Sequence, residues 1–166
     1  MNEMRVCIES LPTTSEEIRS VWLTLPIDAD IFEERLQVSM DSEDYRIIEK
    51  ELPFADEVKE DTIAGHLNNL YTLFTELPSD MQEDCEELLC FYTSLEELHT
   101  YRNEITHYPL CKNMTDVART VLEQNPAYNA LSETIIRYFD FEGYGQYLDD
   151  NGKFVETDHG IYELPL

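Results

Sequence analysis

"TIAGHLNNLYTLFTELPSDMQEDCEELLCFYTSLEEL", residues 62–98, decides how the chain folds, because here the apolar spacing changes from strand alternation to a helical period. In its first half Ile63, Leu67, Leu70, Phe74 and Leu77 recur at i, i+4, i+7, i+11 and i+14, the face of one helix, and Pro78 ends the run. Ser79 with Gln82, and Ser94 with Glu97, have capping-box spacing and predict two further helix starts. On the first of these helices Met81, Cys85, Leu88 and Tyr92 form the apolar side, while Asp80, Glu83, Asp84 and Glu87 share one charged face.

The charge is of one sign. Between Lys59 and Arg102 the chain has no lysine or arginine, yet it contains Glu60, Asp61, Glu76, Asp80, Glu83, Asp84, Glu86, Glu87, Glu96 and Glu97. Like charges at i,i+4 cost a helix a few tenths of a kcal/mol each, and only Asp80 and Glu83 sit where a helix N-terminus favours them. The stripe therefore opposes folding. The whole chain has 36 acidic and 11 basic residues, a formal charge of −25, which is more than solubility requires. It is spread evenly, at −10, −8 and −7 for residues 1–60, 61–103 and 104–166. With 42% hydrophobic residues, ten Tyr and seven Phe, the chain is not an acidic disordered tail. Direct binding of nucleic acid is disfavoured, because it needs Lys and Arg to displace phosphate counterions.

Upstream, Met4, Val6 and Ile8 alternate with Arg5, Cys7 and Glu9 as in a half-buried strand. "SVWLTLPID" and "DYRIIEKEL" read as two more strands, and between them Ile31, Phe32, Arg35 and Leu36 have helical spacing. Downstream, Thr115 and Ser132 are expected helix caps, with Gly143 and Gly145 breaking the second helical pattern. "NGKFVETDHGIYEL" reads as strand, glycine-containing turn and strand. The expected architecture is α+β and elongated, in three small consecutive modules: a sheet with one helix at 1–61, an acidic helical module at 62–103, and a C-terminal α/β module with a terminal hairpin at 104–166.

No catalytic or metal motif is present. The cysteines at 7, 85, 90 and 111 form no CxxC pair and are expected as buried thiols in a reducing compartment. "YLDDNGKFVETD" has the outline of a calcium loop, but Tyr147 replaces its first carboxylate and Asp158 its final Glu, so a β-turn on Asn151-Gly152 is expected there. There is no P-loop, GxGxxG, GxSxG or HExxH, and His66, His99, His107 and His159 are scattered. No catalytic residue, metal or cofactor is expected. The start "MNEMRVCIES" has no signal-like pattern and no apolar run reaches spanning length, so a cytoplasmic protein without membrane attachment is expected.

Several stretches, "TLPID", "ELPF", "GHLNNLY" leading to "ELP", "DVAR" and above all "YGQYLDDNGKFVETDHGIYEL", resemble the ArdA antirestriction family of mobile genetic elements over nearly the whole chain. The resemblance implies three subdomains in a curved rod that dimerises through its C-terminal part and imitates bent duplex DNA. It implies a non-enzymatic inhibitor of type I restriction–modification enzymes that occupies the DNA-binding groove of their specificity and methyltransferase subunits. A stripe of four carboxylates over seven helical residues gives roughly one charge per 3 Å, against one phosphate per roughly 3.4 Å of a DNA strand. A homodimer would carry −50, the phosphate charge of about 25 base pairs. On this reading the phosphate-mimicking carboxylates are Asp56, Glu57, Glu60, Asp61, Glu76, Asp80, Glu83, Asp84, Glu86, Glu87, Glu96 and Glu97, and the dimer interface is sought among Tyr138, Phe139, Phe141, Tyr144 and Tyr147. "CIESLPTTSEEIRSVW" departs from the family pattern, lacking its Asn-Leu near "ESL" and its glycine-rich approach to the Trp. The alternative is an acidic binder that antagonises another DNA-binding protein, a repressor or a nucleoid protein.

Overall fold

β1 (Arg5–Ser10) is the central strand of a three-stranded antiparallel sheet, between β2 (Ser20–Thr24) and β3 (Tyr45–Glu51). Val6 faces Leu23 and Ile8 faces Val21 across one ladder, and Ile8 faces Ile47 across the other. Val6 and Ile8 are fully buried, as their alternation predicts. Cys7, on the other face, is also buried, because Trp22 lies opposite it and the Arg5 guanidinium covers the Trp22 ring at 4.6 Å. The computed structural model describes residues 3–11 and 17–166, so most of the departing loop "LPTTSEE" lies outside the described residues. The chain divides into two compact units, Met1–Thr100 and Tyr101–Leu166.

α1 (Ala29–Leu36) starts where the Asp28 carboxylate accepts from the Asp30 and Ile31 amides, and it packs Phe32 and Leu36 on the sheet while Ile31 and Arg35 stay outside. The ring of Phe32 meets that of Tyr45 edge-on at 4.8 Å. Tyr45 is a joint: its hydroxyl donates to the Met40 carbonyl and accepts from the Ala64 amide in the first turn of α2 (Ala64–Thr75). Asn68, one turn on, clamps both backbone groups of Ile27. Sheet and α2 are thereby bonded by satisfied polar groups as well as by Leu67, Leu70 and Phe74, each buried and each worth about 1.5–3 kcal/mol.

The charged segment differs from the single helix its spacing predicts. It forms two short helices, α3 (Ser79–Glu83) and α4 (Cys85–Leu89), broken at Asp84, whose φ of −101° and ψ of 18° leave the helical region. A continuous helix would stack Asp80 on Asp84 and Glu83 on Glu87 with no cation between them, and helices this short are held by packing and not by propensity. Met81, Cys85 and Leu88 supply that packing, and Asp84 goes inside with them at 1% exposed. Ser79 does not cap; Pro78 takes that position, and Gln82 instead reaches back to the Leu77 carbonyl at 2.8 Å. Ser94 does cap α5 (Leu95–Tyr101), accepting from the Glu97 amide, while the Glu97 carboxylate returns to the amide and hydroxyl of Thr93.

In the second unit β6 (Gly160–Leu164) runs between β4 (Thr106–Tyr108) and β5 (Lys153–Thr157). α6 (Met114–Glu123) is capped by Asn113 and not Thr115, because Asp116 three residues on completes the box by accepting from the Lys112 amide. After α7 (Pro126–Asn129) comes α8 (Glu133–Arg137), which Ser132 caps as expected. Gly143 and Gly145 do not break the chain but lie inside α9 (Phe141–Asn151). A Cβ on Gly145 would sit 2.7 Å from the Met114 carbonyl oxygen, so glycine lets α9 lie against the start of α6. The expected turn at Asn151-Gly152 is instead the end of α9, with Gly152 extended, and the hairpin turns at Asp158-His159 with Gly160 at φ +120°. Tyr108, Cys111, Val117 and Ile161 form the core between these helices and the sheet.

Gly145→Ala is expected to lower stability by about 1–3 kcal/mol despite alanine's better helix propensity, because the neighbour it meets is backbone. Urea unfolding that shows no loss would show that α9 can move away from α6 at no cost.

Candidate acidic interaction surface

Glu57 closes the 3₁₀ turn Ala55–Glu57 and accepts a 2.8 Å bond from the Leu95 amide, the first residue of α5. A carboxylate at a helix N-terminus meets both the free amides and the positive end of the dipole. Burial pushes the Glu57 carboxyl above its ordinary range, with Glu96 adding to the rise while the Leu95 amide and His66 act against it. Cys85, buried beneath, is pushed up to about 12, first by burial and then by the charges of Glu57, Glu86 and Glu87. Four carboxylates from the 3₁₀ turn, α4 and α5 thus share one electrostatic neighbourhood, although up to 39 residues separate them in the chain.

The twelve expected carboxylates have different fates. Asp84 is interior. Glu57 and Glu97 are half-buried and bound to the start of α5, and Asp80 is half-buried with its carboxylate on the Met81 amide. Glu60 is exposed but paired with Arg46 at 3.2 Å, and Glu76 is exposed and paired with His99. Asp56, Asp61, Glu83, Glu86, Glu87 and Glu96 are exposed. Among the described residues no ion pair engages Asp56, Asp61, Glu86, Glu87 or Glu96, and no Lys or Arg occurs from Glu60 to Tyr101. Five of the six basic side chains of this unit are occupied elsewhere: Arg5 holds Glu51 with two bonds, Arg19 pairs with Glu17, Arg46 holds Glu9 and Glu60, and Lys50 and Lys59 donate to the Val58 and Asp56 carbonyls. Residues 1–100 hold 25 acids and 6 bases, net −19, and residues 101–166 hold 11 and 5, net −6.

Phe139, Phe141, Tyr144 and Tyr147 form an aromatic cluster apart from the core around Tyr108. Phe139 lies 5.0 Å from Phe141 and 6.1 Å from Tyr144, whose ring stacks on Tyr147 at 6.0 Å. Tyr138 is 80% and Tyr147 58% exposed, with Ile135 at 54% beside them in sequence. Two participants were not indicated by spacing: Tyr128, placed against Phe139 and Phe141 by the Asn125-capped, Pro-initiated α7, and Arg119, whose guanidinium lies 4.4 Å over Phe141. Cys90 also departs from expectation. It is exposed at the end of α4, whereas Cys7, Cys85 and Cys111 are buried.

Among the described residues no three His, Cys, Asp or Glu side chains gather as a metal site, and no helix is long and apolar enough to cross a membrane. What the geometry offers is an α+β scaffold with exposed carboxylates in a stretch that contains no Lys or Arg. The chain belongs to the ArdA family of antirestriction proteins, whose family model, "Antirestriction protein (ArdA)", matches residues 15–163. None of the curated proteins compared with the chain matches it.

Two outcomes test this geometry. A thiol reagent applied to the folded chain should label Cys90 alone, with the other three reacting only on unfolding; rapid labelling of Cys85 would contradict its burial. Because the folded Glu57 carboxyl binds its proton more tightly than the unfolded one, wild-type stability should fall, relative to Glu57→Gln, as pH rises from the ordinary carboxylate range through the raised value. Gln keeps an oxygen for the Leu95 amide, whereas Glu57→Ala should cost about 1 kcal/mol through loss of the cap. Parallel unfolding curves of wild type and Glu57→Gln across that range would remove the effect of burial.

Proposed function

We propose that the protein inhibits type I restriction–modification enzymes as a mimic of bent duplex DNA, occupying the groove formed by their specificity and methyltransferase subunits. The observation that carries the reading is the exposed carboxylates of α4, α5 and the 3₁₀ turn, which lack cations of their own in a family of antirestriction proteins. Lysine and arginine that neutralise DNA phosphates would meet these carboxylates instead. Asp56, Asp61, Glu83, Glu86, Glu87 and Glu96 are the exposed contributors, with paired Glu60 and Glu76 and half-buried Asp80, Glu57 and Glu97 adding to the field; interior Asp84 contributes through folding. Phosphate contacts carry no sequence information, so such a mimic acts on enzymes of differing recognition sequence. It acts without catalysis, in the cytoplasm where these enzymes meet DNA.

The active form on this reading is a homodimer joined through the aromatic cluster. Tyr138, Tyr147 and Ile135 are exposed and of the residue types that interface cores use, while Phe139, Phe141 and Tyr144 pack on one another beside Tyr147. The three-module division of residues 1–61, 62–103 and 104–166 belongs to the same reading, with the acidic helices following the sheet and preceding the dimerising module in sequence.

The test is titration into a type I enzyme bound to labelled DNA containing its site, at two salt concentrations. Stoichiometric displacement that weakens as salt rises is expected. Single changes Glu83→Gln, Glu87→Gln or Glu96→Gln should each alter displacement by less than about fivefold, the range of an exposed ion pair. Reversing all three to Lys should abolish displacement. Folded protein that displaces no DNA at low salt would refute the mimic.

A further inference from the structure

The groove between the 3₁₀ turn and the α4–α5 connection has a volume of about 580 Å³, within the roughly 300–1,000 Å³ of sites that hold discrete ligands. Its lining is mixed in a particular way. Half-buried Pro53, Ala55 and Leu89 supply apolar surface over buried Leu52 and Phe54, while exposed Asp56 and Glu86 bring carboxylates from two segments 30 residues apart. Glu57 also lines it, with one oxygen committed to the Leu95 amide. Lys59 is the base nearest in sequence, but its ammonium donates to the Asp56 carbonyl and it does not line the groove.

A flat acidic face would need no cavity. A metal ion would need ligands closer together, and among the described residues none are so placed. An occupant must have an apolar stem and a broad cationic head able to reach carboxylates on both sides. Arginine meets both demands: its methylenes pack on apolar surface, and its planar guanidinium is weakly hydrated and presents five donors to more than one carboxylate, where an ammonium is a compact point charge.

We infer that this groove receives one arginine side chain from the DNA-binding surface of the inhibited enzyme, its stem on Pro53, Ala55 and Leu89 and its guanidinium between Asp56 and Glu86. The inference rests on the mimic reading and deepens it, adding one desolvated anchor to a surface of otherwise interchangeable charges. Buried arginines at the centre of an interface are frequent hot spots, whereas exposed ion pairs contribute little.

Two measurements separate this site from the wider reading. In the first, the full isotope-labelled chain is titrated with the capped peptide Gly-Arg-Gly and with Gly-Lys-Gly, while amide shifts are followed by NMR. Shifts confined to residues 52–57 and 86–94, larger for the arginine peptide and lost in Asp56→Asn/Glu86→Gln, are expected. Shifts spread over every acidic segment, or equal for the two peptides, would overturn the site whether or not any enzyme is inhibited. In the second, Cys90, which lines the groove, is capped with a bulky neutral maleimide that leaves the charge at −25. Capping should weaken displacement of DNA from the enzyme at least tenfold, while Cys90→Ser treated in the same way is unaffected. Asp56→Asn/Glu86→Gln should likewise lose more than the charge-matched Glu33→Gln/Glu34→Gln on α1. Equal losses from both pairs, with no effect of the cap, would show that charge acts without the groove. Failure of the unmodified protein to displace DNA would refute the mimic, and the peptide titration would still decide the groove.

Discussion

The segment from Glu60 to Tyr101 must fold without a cation of its own, and that constraint explains most of what is unusual in the first unit. A carboxylate in such a segment can bind helix amides, pair with a cation from elsewhere, enter the interior or remain in water. All four outcomes occur. Glu97 binds the amide and hydroxyl of Thr93 before α5, and Glu57, from outside the segment, binds the Leu95 amide; Glu60 takes Arg46 from β3, while Glu76 meets His99 within the segment; Asp84 turns inward; Glu86, Glu87 and Glu96 stay in water. The first two outcomes give a carboxylate donors that offset its charge locally, and the last leaves negative charge at the surface.

Packing makes this tolerable. Repulsion between neighbouring exposed carboxylates costs a few tenths of a kcal/mol per pair in water, whereas one fully buried leucine contributes about 1.5–3 kcal/mol. Leu67, Leu88, Leu95 and Leu98 are all fully buried in this segment, with Met81 and Cys85 beside them. Hydrophobic burial therefore exceeds the repulsion, and short helices that would not form alone are stable where they lie. The joints are polar and specific: Tyr45 to Ala64, Asn68 to Ile27 and Glu57 to Leu95 each bond an α-helix, or the strand-linking loop, to a part of the chain 19 to 41 residues away.

The class of fold was legible because burial has a period. Val6 and Ile8, Phe32 and Leu36, and Leu67, Leu70 and Phe74 fall where their spacing puts them, and the terminal hairpin follows from "KFVETDHGIYEL". What the sequence hid were the places where a tertiary contact outweighs a local preference. Asp84 has the spacing of a surface stripe but lies at a break that only packing enforces. Gly145 looks like a helix breaker and is instead the point where two helices touch, a distance no one-dimensional pattern contains. Thr115 and Asn113 are both plausible caps, and Asp116 selects between them. The carboxylates were visible as a list; their sorting into paired, buried and exposed was not, because partners such as Arg46 are remote in the chain. Nor was the groove, whose walls come from residues 52–57 and 86–94.

In the proposed homodimer, charge also bears on where the second copy binds. Two chains of −25 approach against repulsion, and the cost is least where charge is sparse. Residues 1–100 carry −19 and residues 101–166 only −6, so the second unit offers the lower barrier as well as the exposed tyrosines. Arg119, over the Phe141 ring, places a positive charge beside the aromatic cluster, where Tyr138 and Tyr147 are exposed. The uneven distribution thus leaves exposed aromatic surface where charge is low and most of the carboxylates where bases are few.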